Sequence, residues 1–259
     1  MTLTIVAFLA VLLVLILAHE IGHFFTAKLS GVTVEEFSIG FPPRIVSFKR
    51  GETRYSLSAV LLGGFVKLAG EEDPKVTGGL SSKGYGTRIF VLSAGTVMNL
   101  LLPVLLFSVA FMVPHDVVTG QVVVSEVALD SPASRANIAP NDIILELNGE
   151  PVGSVGDLHR YIQLNLGKKV TLLVKRGDTT REVQLVPRWR PPTGQGSIGV
   201  LVKLTSPETM RGSFPFWRAI PLGVSECIET FVLFKNGIIG MIIGTEPAVV
   251  TGPVGIAQI

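Results

Sequence analysis

The chain has 259 residues and a net charge of +2; only 16 % of its residues are charged, while 47 % are hydrophobic. Soluble domains normally carry about a quarter charged residues, so an ordinary soluble globule is excluded for the chain as a whole. No basic arm or stripe is present, which argues against nucleic acid as a partner. The single cysteine, Cys227, rules out an intrachain disulfide and a cysteine-based metal site.

The charge deficit is local. Residues 1–27 open with the uncharged, mostly apolar run MTLTIVAFLAVLLVLILA, and apolar character continues through Ile21, Phe24 and Phe25. A run of that length is expected to cross a bilayer as a helix. It lacks a basic n-region and a small-x-small cleavage site, so a retained first transmembrane helix is expected, not a cleaved signal. Residues 28–88 are polar and Gly-rich, with β-like pieces such as PRIVSF and TRYSLSAVLLGGFVKL between the turn signals GFPP, KRGE and GG. Residues 89–113, IFVLSAGTVMNLLLPVLLFSVAFMV, contain no charge. At 1.5 Å per residue they reach roughly 37 Å, enough for a second, tilted span. Gly95 and Pro103 are tolerable there because neighbouring helices satisfy freed backbone groups.

Orientation follows from the loop between the two spans. It carries Lys28, Arg44, Lys49, Arg50, Arg54, Lys67, Lys75, Lys83 and Arg88, whereas no Lys or Arg precedes the first span. The positive-inside rule places residues 28–88 in the cytoplasm as a β-rich, membrane-associated loop, and the chain after Val113 outside. Residues 114–204 read as one compact α+β domain. QVVVSEV is a strand, and SPASRANI is a short helix with Ser131 as N-cap and Pro132 first. NDIILELNGE, a helix from Gly156 to Leu166, KKVTLLVKRG and TREVQLVPR follow. Residues 205–259 are apolar from Phe214 onward but interrupted by Arg218, Pro221, Glu226, Glu229, Lys235 and Asn236. An amphipathic segment at the outer membrane surface is expected there. The fold class is therefore a membrane protein with an α-helical transmembrane core, a membrane-associated β-hairpin region and an inserted α+β domain.

Within the first span stands LAHEIGHFFTAKL. His19 and His23 are four residues apart, so both imidazoles lie on one helix face and can share one Zn²⁺. Glu20 sits about 100° round the helix from His19, where it can hold a water and take its proton. Ionisable groups at hydrocarbon depth are costly and functional by default. A competing reading ends the span at Ala18 and leaves the three polar residues at the interface. Haem ligation needs histidines on facing helices, which this spacing does not provide. A catalytic zinc site takes three protein ligands and an open position. His115 lies at the far end of the second span and His159 in the soluble domain, so neither supplies the third.

HEIGHFFTAKLSGVTVEEFSIGFPPRI followed by LLGGFVKLAGEED resembles the site-2 protease family of intramembrane zinc metalloproteases, regulator-of-sigma-E type with a single PDZ domain. The resemblance implies Zn²⁺ as cofactor, His19 and His23 as its ligands and Glu20 as the catalytic acid/base. It implies that Gly63, Gly64, Phe65, Val66 and Lys67, matching G-G-x-V-K, receive the substrate as an added strand; alone, the Gly pair would mark only a hairpin turn. AGTVMNLL resembles A-G-P-x-x-N, with Thr96 in place of Pro, and puts Asn99 near the site among the substrate-binding residues. An isolated Asn could equally bond a neighbouring helix. Residues 114–204 resemble a PDZ domain in the permuted bacterial order, with Ser197, Ile198, Gly199 and Val200 as its peptide loop. Without that context the four residues are a strand-ending Gly turn.

In the family the third ligand is an Asp in an L-D-G motif that follows G-P-x-x-I-A. Here Gly252, Pro253, Val254, Gly255, Ile256 and Ala257 match the latter and L-D-G does not occur. Either the 259 residues are a fragment, inactive alone, of a longer protein whose third ligand is expected beyond residue 259, or the chain does not hold zinc well; the fragment is the expected reading. The implied function is cleavage of transmembrane segments of membrane proteins in regulated intramembrane proteolysis, such as anti-sigma factor cleavage. The implied setting is the bacterial inner membrane, multi-pass, with the PDZ domain extracytoplasmic and the active site toward the cytoplasm. Partners would be a substrate transmembrane helix and the bilayer, and no nucleic acid. The alternative is a non-catalytic receptor or scaffold acting through the PDZ domain.

Overall fold

The computed structural model describes residues 2–73 and 75–245, so the GPVGIA match at 252–257 lies outside the described residues. The chain divides into two compact units, the first ending at Leu106 and the second starting at Phe107.

In the first unit, α1 spans Thr2–Leu29. It is built mainly from Leu, Ala and the β-branched Val and Ile, with no Pro, and it stops where Gly31 turns left-handed at φ +63, as helix ends commonly do. α2 spans Tyr85–Met112 and carries Pro103 internally. It starts before the expected 89, so Arg88 lies in its first turn. α1 and α2 are each long and apolar enough to cross a membrane, and their side chains are mostly exposed.

Between them run β1 (Val34–Arg50) and β2 (Thr53–Leu68). A plain hairpin is the expectation; the register shows more. Glu36 faces both Arg54 and Lys67, and Ser38 faces both Ser56 and Phe65, while Lys49 faces Arg54. Each long strand doubles back, so four segments lie side by side in the order 44–50, 53–58, 34–39, 64–68. The bend is dictated locally. Gly40 sits at φ +88 with a would-be Cβ only 2.8 Å from the Ser58 carbonyl, and Pro42 and Pro43 cannot donate to a ladder. Residues 64–68 thereby become a sheet edge. Ala27, Val32, Val34, Leu68, Leu80 and Val91 form the small core that ties the sheet to both helices.

The second unit contains β3 (His115–Val127), α3 (Pro132–Arg135), β4 (Ile143–Leu147), β5 (Glu150–Pro151), α4 (Val155–Leu164), β6 (Val170–Arg176), β7 (Thr179–Leu185), β8 (Val200–Gly212) and α5 (Phe216–Ile243). The antiparallel sheet has the order β7-β6-β4-β3-β8, with β5 on β4. Alternating apolar residues such as Val122, Val124, Ile144, Leu172 and Val174 bury its inner face. Ser131 caps α3 by accepting from Ser134 N–H, with Pro132 in the first turn. β8 continues past residue 204 and pairs with β3 as far as His115–Gly212. α5 is held to α4 by Arg160, which reaches Glu226 and Glu229 at 2.7 Å each, and by Asn236 Nδ2 donating to the Gln163 carbonyl at 2.6 Å.

Candidate functional site

The helical spacing of HEIGH brings His19 Nε2 and His23 Nε2 to 3.1 Å, their rings nearly perpendicular with centroids 4.7 Å apart. His23 Nδ1 donates to the Val91 carbonyl on α2 at 2.8 Å. That bond places the ring proton on Nδ1 and leaves the Nε2 lone pair for a cation. Two nitrogens bound to one tetrahedral Zn²⁺ at 2.0–2.1 Å lie about 3.3 Å apart, so the observed separation fits a shared ion.

α2 makes the space for the two rings. A Cβ on Gly95 would lie 2.5 Å from His19 Cε1, 2.5 Å from His23 Nε2 and 2.6 Å from His19 Nε2. Lower on the same crossing, a Cβ on Gly22 would meet the Ala94 carbonyl oxygen at 2.5 Å. Small residues thus let the two backbones approach closely, and the space left is a cradle for the imidazole pair. Among the described residues no cluster of three or more His, Cys, Asp or Glu is assembled. The donors present fit two of the three ligands of a catalytic zinc site.

Glu20 points from α1 to the sheet edge. A Cβ on Gly64 would stand 3.5 Å from Glu20 Cγ and 3.8 Å from Ile16 Cγ2, and the Glu20 carboxylate interacts with the backbone N–H of Val66. Phe65 stacks on Phe41 at 6.4 Å, over the space that Gly63 leaves open. Lys67 pairs with Glu35 at 2.7 Å. The G-G-F-V-K run therefore forms the edge that passes the Glu20 carboxylate. Asn99 lies one turn beyond Gly95 on α2, and its Oδ1 is buried without a hydrogen-bond partner. Thr96 is on an exposed side of α2, so its replacement of Pro leaves the imidazole cradle untouched.

In the second unit, Gly199 adopts φ +75 and spends its N–H on the Gly196 carbonyl, while the Ile198 carbonyl accepts from Ala133. Val200 opens β8 opposite Val127. A groove of about 350 Å³ runs between this loop and α4, lined by Leu158, Ile162, Ser197, Ile198, Val200 and Val202. His159 lines the same groove, and His115 donates from Nδ1 to the nearby Val113 carbonyl at 3.0 Å.

Some functional contacts carried little sequence signal. Gly95 is one of several glycines in apolar helix; it stands in the A-G-T-V-M-N match and costs about 1 kcal/mol against Ala there, but neither signal names the imidazoles as its partners. The buried Glu36 accepts from Arg44 Nε and Nη2 at 2.8 and 2.7 Å and from Ser56 at 2.7 Å, partners that strand register alone brings together. These bonds behind the edge strand outweigh burial and hold the Glu36 carboxyl below its ordinary range.

The family model of peptidase family M50 matches residues 7–259. This chain belongs to peptidase family M50. A relative from Clostridium acetobutylicum, described as a "putative zinc metalloprotease", is 32 % identical over 252 residues, covering 95 % of this chain and 70 % of the relative. Another of that description, from Agrobacterium fabrum, is 32 % identical over 279 residues, covering 98 % and 74 %. Among solved structures, the PDZ domain of the SdrC-like protein from Listeria monocytogenes is similar at 26 % identity and a TM-score of 0.29, covering 32 % of this chain and 87 % of that one. Family M50, the site-2 protease family, consists of membrane-embedded, zinc-dependent metalloproteases, so this protein is a zinc metalloprotease. The non-catalytic scaffold reading is set aside.

Proposed function

We propose that the protein cleaves transmembrane segments of membrane proteins at a Zn²⁺ centre held by His19 and His23, with Glu20 as the general acid/base. The observation that carries this reading is the pair of Nε2 atoms 3.1 Å apart over Gly95, with Glu20 alongside the sheet edge at Gly64. When bound, Zn²⁺ supplies Lewis-acid polarisation of a carbonyl and acidifies a water. Val91 holds His23 in the ligating tautomer, and Gly95 keeps both rings close. Glu20 takes a proton from the attacking water as the C–O bond forms, then delivers it to the leaving amide nitrogen as the C–N bond breaks.

A helical peptide bond is shielded by its own turn, so the substrate has to be unwound before attack. Residues 64–68 offer an edge with no strand partner among the described residues, on which the unwound segment adds as a strand, held by main-chain hydrogen bonds. Residues 28–88 then face the cytoplasm, in keeping with their basic excess. The α-helical core is multi-pass in the bacterial inner membrane, and the domain of residues 114–204, with its loop at Ser197, Ile198, Gly199 and Val200, is extracytoplasmic. Regulated intramembrane proteolysis, such as release of an anti-sigma factor, is the class of process such an enzyme serves.

The test is Glu20→Gln in the full-length protein. Cleavage of a single-span membrane substrate is expected to fall by at least about 100-fold, with zinc content and melting temperature unchanged. Cleavage at the wild-type rate refutes the assignment.

A further inference from the structure

On the sheet of the first unit, Arg44, Lys49, Arg54 and Lys67 line a hollow of about 360 Å³ together with Glu35, Glu36 and Glu52. Most of these charges are matched within the sheet. Arg44 bonds Glu36 through Nε and Nη2, and Lys67 pairs with Glu35. Lys49 and Arg54 remain, and the register sets them directly opposite each other on adjacent segments. Like charges so placed repel, and among the described residues no carboxylate comes within ion-pair distance of either. Glu52, in the turn beyond them, accepts from Thr33 Oγ1 at 3.5 Å. A lone edge lysine serves to block strand pairing, but that role does not call for a second cation across the rung. The pair suits an external anion.

Depth points to the source of that anion. Val34 and Leu68 pair next to Glu36 and Lys67, and they pack with Ala27 and Val32. Gly64, further along the same segment, lies beside Glu20. The row Lys49, Arg54, Glu36, Lys67 is therefore level with the C-terminal end of α1. The apolar stretch Leu3–Leu29 is about 40 Å long, roughly 10 Å more than a hydrocarbon core, so that end stands among lipid headgroups. Along the strands in the other direction, Ile45, Val46, Phe48, Leu61 and Leu62 are each at least half exposed, an apolar tip suited to acyl chains. Val46 and Leu57 pair three rungs from Lys49 and Arg54, about 10 Å at most. A headgroup layer is about 5–8 Å thick, so an immersed tip leaves the two cations at phosphate depth.

We propose that Lys49 and Arg54 clasp the phosphate of an anionic phospholipid in the leaflet at the C-terminal end of α1, anchoring the sheet by its outer segment. In the orientation proposed above that leaflet is the cytoplasmic one. The anchor then holds residues 64–68 at the depth of Glu20; this consequence rests on the protease reading, whereas the lipid binding does not.

The test titrates full-length protein in detergent with phosphatidylglycerol or phosphatidylcholine and reads bound lipid by native mass spectrometry. Affinity for the first phosphatidylglycerol is expected to fall about 5-fold in Lys49→Gln or Arg54→Gln and about 25-fold in the double variant, with phosphatidylcholine unchanged. Lys49→Arg with Arg54→Lys, which keeps both charges, should bind as the wild type does. Lys28→Gln with Arg50→Gln removes the same charge from the same loop and should leave the affinity within about 2-fold. Glu52→Gln removes the carboxylate beside the pair and should strengthen binding about 2-fold, a gain that a damaged fold does not produce. Equal losses in the two double variants, or no gain from Glu52→Gln, overturns the inference. Inorganic phosphate offers the same chemistry without acyl chains; displacement of the lipid by an equal concentration of it would show a site for free anions and overturn the lipid assignment. Unchanged lipid binding with weaker capture of a substrate peptide bearing an acidic flank would assign the pair to substrate instead. None of these readouts involves Glu20, so failure of the protease reading is distinguishable from failure of this one.

Discussion

Gly95→Ala isolates the geometry on which the metal reading depends. The added methyl carbon would stand 2.5, 2.5 and 2.6 Å from three imidazole atoms of His19 and His23. Unstrained contacts between such atoms lie near 3.5–4.0 Å, so the rings have to retreat by about 1 Å. Metal–ligand distances tolerate only about 0.2 Å, and the His23 Nδ1 bond to Val91 opposes the retreat. One imidazole is therefore lost from the metal. Misorienting a ligand through its supporting partners already weakens metal affinity about 10–100-fold, so displacing it is expected to reach at least the upper figure. The helix itself gains, because Ala is favoured over Gly by about 1 kcal/mol. Zinc content after dialysis against a competing chelator should fall and cleavage with it, while the melting temperature of the metal-free protein holds or rises. Gly86→Ala on the same helix, where a Cβ meets nothing within 4 Å, serves as the control and should retain both zinc and activity. Stoichiometric zinc with wild-type cleavage in Gly95→Ala would refute the cradle.

Two further outcomes follow from the electrostatics. The Arg44 and Ser56 bonds lower the Glu36 carboxyl in the folded state, so their stabilisation is complete above the unfolded value of about 4.3 and is lost as pH falls through the lower folded value. Arg44→Gln raises that folded value and starts the loss at higher pH. Melting curves between pH 3 and 7 that run parallel for variant and wild type would contradict this. Arg160→Ala leaves Glu226 and Glu229 partly buried without their cation and is expected to destabilise the α4–α5 contact by about 1–2 kcal/mol. Hydrogen exchange should quicken in α5 around residues 226–236; unchanged protection there would show that Asn236 and apolar packing suffice.

Much of this molecule is decided within short stretches of chain. The i, i+4 placement of His19 and His23, the lengths of the two apolar helices, the Ser131 cap and the basic bias of residues 28–88 all follow from spacing and composition, because helix periodicity and transfer energies act locally. The partners of those residues do not. Gly95 faces His19 and His23 only because α1 and α2 cross at Gly22 and Ala94. Residues 64–68 become an edge beside Glu20 only because two strands fold back into four segments, and the same register delivers Arg44 and Ser56 to the buried Glu36. Residues far apart in sequence meet there through helix crossing and strand pairing, and neither is encoded in any single segment's pattern. The sequence by itself determined which side chains could hold a metal and move a proton. The tertiary structure decided that their imidazoles share one cradle, and that the carboxylate lies along an open strand edge.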